Sequence, residues 1–191
     1  IVVVASGVHD PKLRTGMPKA EVTTVETLAA TGGPRPGQFD GRLAYVNSKL
    51  CNLWFAYELV RRIDAARLST DERPITVNGF DPGLVPGSGL ARDYPRALRF
   101  LWDRVLPGLA RVLTRVVPTI NPAPKSGAAL ARLVLDPALA RVSGKYFPSH
   151  ARWQEAPSSD ASYDVERARA LWDASVRMTR LAPRESPAVE R

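Results

Sequence analysis

Apolar side chains open the chain without interruption: Ile1, Val2, Val3, Val4 and Ala5 run into Ser6-Gly7. A short β-branched run closed by a turn signal predicts a strand over 1–5, buried on both faces as in a parallel sheet. Such a strand needs a neighbour on each side, and the residues after Gly7 supply one of them. The residues are therefore expected to form the C-terminal portion of a longer chain. Residues 10–44 break the pattern with Asp10-Pro11, Gly16-Met17-Pro18 and Gly32-Gly33-Pro34-Arg35-Pro36-Gly37, which predicts a long loop, and long ordered loops are usually functional. Thr23-Thr24-Val25-Glu26 has the capping-box spacing and predicts one short helix within that loop. Over 45–66, Val46, Leu50, Leu53, Trp54, Tyr57, Val60 and Ile63 recur at helical spacing, while Asn47, Lys49, Glu58, Arg61 and Arg62 lie off the stripe. Pro74 then leads into a strand over 75–80 that closes on Asp81-Pro82-Gly83. Strand, helix and strand in that order predict a βαβ unit with a right-handed crossover.

Residues 84–123 are apolar, arginine-rich and punctuated by proline, which predicts two helices broken at Pro107-Gly108. A helix over 126–135 is stopped by Asp136-Pro137, and a third strand is expected over 142–147. Val165, Ala168, Leu171, Trp172 and Val176 line one face of a last helix that ends near Leu181. The tail, 182–191, is expected to be frayed and disordered. The reading is one α/β domain over 1–181, with about three strands and an incomplete N-terminal side.

Composition narrows the classes. With 191 residues, 45% of them hydrophobic and 24% charged, the chain buries the core of one globular domain. Its one cysteine excludes an internal disulfide. No apolar run approaches the roughly 20 residues of a membrane span. The opening run is too short, and lacks the basic flank, for a secretory signal, so a cytoplasmic setting is expected. The net charge is +8. Arginines are mostly spread singly among alanines and leucines, without zinc-finger spacing, an aromatic RNA-binding signature or a lysine run. Nucleic acid is therefore not an expected partner.

Candidate chemistry centres on Tyr45 and Lys49, four residues apart and so on one face of a helix. An ammonium beside a phenol favours phenolate and brings tyrosine's pKa from about 10 toward working pH. A tyrosine tuned in this way donates or accepts a proton at a carbonyl or alcohol. The same spacing also suits a surface pair on an amphipathic helix. Ser6 ends the first strand and Pro82-Gly83 follow the second, both at the sheet edge where open α/β folds place ligands. Ser6 is placed to hydrogen-bond a substrate oxygen, or to satisfy its own turn.

Ser6, Tyr45-Val46-Asn47-Ser48-Lys49 and Asp81-Pro82-Gly83, in that order, resemble the short-chain dehydrogenase/reductase family. Phe39-Asp40-Gly41-Arg42-Leu43-Ala44-Tyr45, continuing into Ser48-Lys49-Leu50-Cys51-Asn52, is similar to the branch of retinol-dehydrogenase-like enzymes and protochlorophyllide reductases, as is the helix over 164–181. The resemblance implies a Rossmann-type, doubly wound parallel sheet and hydride transfer between a nicotinamide cofactor and a lipophilic carbonyl or alcohol, with NADP(H) ahead of NAD(H). It implies Tyr45 as general acid/base, Lys49 as the residue that tunes it and binds the nicotinamide ribose, and Ser6 as the group that polarises the substrate oxygen. Pro82, Gly83 and the backbone of Leu84 and Val85 are implied to line the nicotinamide. Residues 92–123 take the place of the substrate-binding lid, where apolar richness suits a bulky lipophilic substrate, and the same pattern equally suits a helical pair packed on its own domain. The same arginine-flanked apolar pattern leaves peripheral contact with an anionic membrane open, and self-association is left open as well.

Several positions depart from the family pattern. Its glycine-rich phosphate loop and tetrad asparagine are not among these residues, so this stretch alone is expected to hold cofactor poorly. A threonine common after Pro-Gly is replaced by Gly87, with Ser88 beside it as a substitute for holding cofactor. Leu84 stands where the photoenzymes carry a cysteine. The gap between Ser6 and Tyr45 is long, which suits either a large pocket or surface decoration. A non-catalytic binding protein of the same fold is the rival reading. Cys51 reads as a small buried hydrophobe, His9 as a loop histidine or a substrate contact, and His150 as exposed. Two histidines so far apart predict no metal site.

Overall fold

The computed structural model describes residues 1–31, 37, 39–117, 119–149 and 154–182. In chain order they form β1 (Val2–Val4), α1 (Val25–Thr31), α2 (Gly41–Ala65), β2 (Asn78–Asp81), α3 (Arg96–Phe100), α4 (Leu106–Leu113), α5 (Ala123–Leu135), β3 (Tyr146–Pro148) and α6 (Val165–Thr179). The strands make one parallel sheet in the order β1-β2-β3, with Val4 beside Phe80 and Phe80 beside Phe147. Alternation along each strand sends Val3, Gly79 and Tyr146 to one face and Val2, Phe80 and Phe147 to the other. α2 covers the first face, with Leu53 and Tyr57 against Ala5 and Tyr146, and Ala56 and Ile63 against Val77. α5 covers the second, setting Ala129 and Leu133 on Phe80 and Phe147. Helices on both faces of a parallel sheet give the doubly wound, Rossmann-type α/β architecture that the sequence predicted. At Gly79 a Cβ would stand 2.7 Å from Leu53 Cδ2, so glycine is what lets α2 settle onto β2.

The element ends shift for local reasons. α2 starts four residues before the predicted point because Asp40 caps it, accepting the N–H groups of Arg42 and Leu43 at 2.8 and 3.2 Å. The short helix is capped by Thr24 rather than Thr23: Thr24 Oγ1 accepts the Thr27 N–H at 3.1 Å, and Glu26 turns instead to Arg177 on α6. β2 and β3 are shorter than predicted because the Asn78 side chain takes the place of ladder bonds. It donates to the Val142 carbonyl at 2.7 Å and accepts the Lys145 N–H at 3.0 Å. β1 has β2 on one side only among the described residues, so Val4 is 44% exposed instead of buried on both faces.

α2 is buried on two sides, not one. Besides the sheet it meets α6, where Leu50 and Trp54 pack on Ala168. Asn47 and Glu58, which lie off the predicted stripe, are therefore fully buried. Asn47 accepts the Glu21 N–H at 2.8 Å and donates to the Glu21 carbonyl at 3.0 Å, mooring the long loop to the helix.

The expected break at Pro107-Gly108 takes another form. α3 and α4 are joined by a π turn over Leu101–Val105, in which the Leu106 N–H reaches the Leu101 carbonyl. Pro107 has no N–H for the Asp103 carbonyl and its ring would crowd it, so the widened turn absorbs the proline and α4 continues from it. Trp102 anchors this segment, donating its indole N–H to the Ser88 carbonyl at 2.9 Å. Tyr94, Leu98, Leu101, Val105, Leu109, Val112 and Val116 recur every third or fourth residue along it, and every one is exposed. Among the described residues no helix is long and apolar enough to cross a membrane. His150, and the predicted tail from 183 onward, lie outside the described residues.

Candidate active site

Because all three strands run the same way, the residues that follow them gather at one sheet edge: Ser6 after β1, Pro82 and Gly83 after β2, Ser149 after β3. α2 packs beside β1, β2 and the turn Gly7–His9, carrying Tyr45 and Lys49 past this edge. The Lys49 ammonium lies 5.2 Å from the centroid of the Tyr45 ring, and both side chains are half-buried. Burial pushes the Lys49 ammonium below its ordinary value, and the negative charge of Asp81 pushes it part of the way back. Lys49 forms no ion pair among the described residues.

The turn after β2 is fixed from behind. The Pro82 carbonyl accepts hydrogen bonds from Asn121 Nδ2 at 3.2 Å and Ser126 Oγ at 2.7 Å. Leu84 donates its N–H to the Thr119 carbonyl at 2.7 Å and accepts the Asn121 N–H at 2.9 Å. Its backbone is thus committed to residues 119–121, and its side chain faces outward, 37% exposed. Val85 accepts the Ser88 N–H at 3.2 Å, the Ser88 carbonyl holds Trp102, and Gly87 abuts Pro107. The turn over 82–88 is thus tied by hydrogen bonds and seated against α4 and α5.

His9 is buried and serves the loop rather than an open pocket. Its Nε2 accepts the Ser159 N–H at 3.2 Å, which requires a bare nitrogen there, so Nδ1 carries the proton and donates it to the Ser6 carbonyl at 2.6 Å. Burial lowers its pKa, against smaller upward pulls from the Ser6 carbonyl, Asp10 and Asp81. The folded state therefore binds this proton more weakly than the unfolded chain, whose histidine titrates near 6.5. Its stabilisation is complete above that pH and is lost as pH falls through the lower folded value. Urea unfolding at pH 7.5 and 5.5 is expected to show lower stability at 5.5, with a smaller difference in His9→Asn. An equal difference in both proteins would show that His9 does not set the pH dependence.

Cys51 is half-buried among Leu50, Trp54 and Ala168, and burial pushes its thiol up to about 12, which fits an inert packing residue. No group of His, Cys, Asp and Glu among the described residues is arranged to hold a metal ion. Asp81, which the sequence reading named only as part of Asp81-Pro82-Gly83 and gave no role, is 4% exposed at the end of β2. Its signal was a carboxylate closing an apolar strand, a place where charge is rarely buried without a purpose.

No family model matches the chain. Curated relatives do match. The chloroplastic protochlorophyllide reductase of Pisum sativum is 32% identical over 149 residues, 76% of this chain and 34% of the relative. Protochlorophyllide reductase A of Oryza sativa subsp. japonica is 34% identical over 146 residues, 75% of this chain and 34% of the relative. The B enzyme of the same plant is 28% identical over 175 residues, 90% of this chain and 40% of the relative. The chain thus spans about a third of the length of the first two. The crystal structure of an uncharacterized protein from Mycobacterium paratuberculosis superposes with a TM-score of 0.50 at 22% identity, covering 94% of this chain and 49% of that one, and bears on the fold alone. With its parallel α/β sheet and with Tyr45-Val46-Asn47-Ser48-Lys49 on the helix beside the strand ends, the chain is similar over three quarters of its length to these reductases, which are members of the short-chain dehydrogenase/reductase family.

Proposed function

We propose that this chain forms part of an NADP(H)-dependent oxidoreductase that transfers hydride between nicotinamide and a lipophilic carbonyl or alcohol. The observation that carries the reading is the half-buried Tyr45–Lys49 pair on the helix that packs beside the Ser6 turn. A nicotinamide cofactor fits the residues present: Lys49 offers an ammonium that forms no direct ion pair among the described residues, half-withdrawn from water and suited to ribose hydroxyls, at the sheet edge where the turn at Pro82, Gly83 and Val85 also lies. The bound cofactor supplies or accepts the hydride. The chain supplies the proton and the positions. Ser6 hydrogen-bonds the substrate oxygen, and Tyr45 gives that oxygen its proton in reduction or takes it in oxidation. Lys49 holds positive charge beside the phenol as it loses the proton. The exposed stripe from Tyr94 to Val116 suits the substrate-facing side of a lid, and seven apolar side chains there favour a hydrophobic substrate over a sugar or an amino acid.

In the natural full-length protein, assayed with NADPH against carbonyl compounds of increasing chain length, Tyr45→Phe is expected to lower kcat by about 100-fold or more while the fold is kept. Unchanged turnover would end the acid/base assignment. Absence of any nicotinamide-dependent turnover in the unsubstituted protein would instead favour the non-catalytic reading.

A further inference from the structure

Asp81 is buried at the centre of the strand-end cluster, and neither the proton transfer nor the cofactor contacts proposed above use its carboxylate. Oδ2 accepts the Gly7 N–H at 2.9 Å and the Tyr146 hydroxyl at 3.4 Å, while Oδ1 accepts the Gly83 N–H at 2.9 Å. Gly7 and Gly83 directly follow Ser6 and Pro82, so one side chain spans the turns after β1 and β2. We propose that Asp81 is the positioning residue of this site: its carboxylate locks the turn that bears Ser6 to the turn that bears Pro82 and Gly83, and presents negative charge to Lys49.

The donors explain why a carboxylate is required. Two backbone N–H groups and a phenol converge on it, and only an ionised acid offers two oxygens that accept without donating. Asparagine keeps the shape but turns an NH₂ group toward one of the N–H groups, and it removes the charge. The groups facing Lys49 are Tyr45 on α2 and Asp81 on β2. Those facing Asp81 are Lys49, His9 in the turn after β1, and Tyr146 on β3, whose phenol is pushed up by burial and then by Asp81. Within this set Asp81 offsets part of the burial that drives Lys49 toward neutrality. The inference rests on the reading of Tyr45 and Lys49 as the working pair.

The test compares the natural full-length protein with Asp81→Asn, following the Lys49 ammonium by NMR with ¹³C-labelled lysine as pH is varied. The Lys49 midpoint is expected to fall in Asp81→Asn, and the alkaline limb of the pH–activity profile to move to lower pH with it. In the unsubstituted protein the Gly7 and Gly83 amides, hydrogen-bonded to the Asp81 carboxylate, are expected to exchange with solvent at least about tenfold more slowly than in an unstructured chain. An unmoved Lys49 midpoint in a folded Asp81→Asn protein overturns the proposal. So does unprotected exchange at Gly7 and Gly83, and that measurement decides alone if the variant does not fold. A midpoint that moves in a protein without nicotinamide-dependent turnover overturns the oxidoreductase reading and leaves the electrostatic role of Asp81 standing.

Discussion

Gly83→Ala is expected to lose about 4 kcal/mol of stability, a large part of what a domain of this size holds. Gly83 takes φ +73°, a left-handed conformation that costs an L-residue roughly 1–2 kcal/mol. The larger share is steric. An added Cβ meets Ser149 Oγ, the Thr119 carbonyl at 2.6 Å and Asn121 Nδ2 at 2.7 Å. The Ser149 hydroxyl has no hydrogen bond holding it and can turn aside, but the other two are fixed. The Thr119 carbonyl already holds the Leu84 N–H, and Asn121 holds the Pro82 carbonyl. Forcing them apart adds overpacking of about 1–3 kcal/mol and breaks hydrogen bonds that fix the turn. Gly16→Ala is the control: at φ +74° with no atom within 4 Å of the added Cβ, it is expected to lose only the conformational share. Urea unfolding of both variants reads the difference directly. A Gly83→Ala protein within about 1 kcal/mol of the unsubstituted chain would mean that the 82–88 turn is softer than its hydrogen bonds imply.

The parts of the site that are legible in the sequence are those set by short-range rules. Tyr45 and Lys49 share a helix face because four residues make about one turn, whatever surrounds them. Ser6 and Pro82-Gly83 reach the same edge because apolar runs end in turn residues and parallel strands end together. The elements themselves followed from period and punctuation, and their ends did not. Asp40 set the start of α2 through a side-chain cap, and Pro107 widened the helix ahead of itself instead of breaking it. What stayed hidden depends on pairs distant in sequence. Asp81 meets Gly7 across 74 residues, and His9 meets Ser159 across 150. No local pattern marks either carboxylate or imidazole as a tie between loops. Asn47 and Glu58 were misplaced for a related reason: a one-stripe reading assumes one buried face, and α2 has two neighbours.

Glu58 carries the greatest consequence of that second face. Only 1% of its side chain is exposed, with Oε2 at 2.8 Å from Arg61 Nε and Oε1 at 2.8 Å from Arg62 Nε. Arg62 in turn lies over the Trp172 ring at 4.6 Å and reaches Asp173 at 3.4 Å, while Trp172 stacks on Phe55 at 5.7 Å between centroids. One buried carboxylate thus orients the cation that joins α2 to α6. Glu58→Ala leaves both guanidiniums facing a void where their anion was, and the Arg62 side chain, 11% exposed, has little access to water. Breaking a buried pair from one side typically costs 3–5 kcal/mol, and about 4 kcal/mol is expected here. Arg61, a third exposed, contributes less. The pair is distinguished from a simple cavity by a double-mutant cycle. Arg62→Ala on top of Glu58→Ala is expected to lose markedly less than the sum of the single losses, because the cation that lost its buried carboxylate is gone. Added salt is expected to leave the single loss nearly unchanged, since ions screen a buried pair weakly. Additive losses would show that Glu58 only fills space, and that apolar packing of Leu50, Trp54 and Phe55 on Ala168 and Trp172 holds α6 to the helix bearing Tyr45 and Lys49.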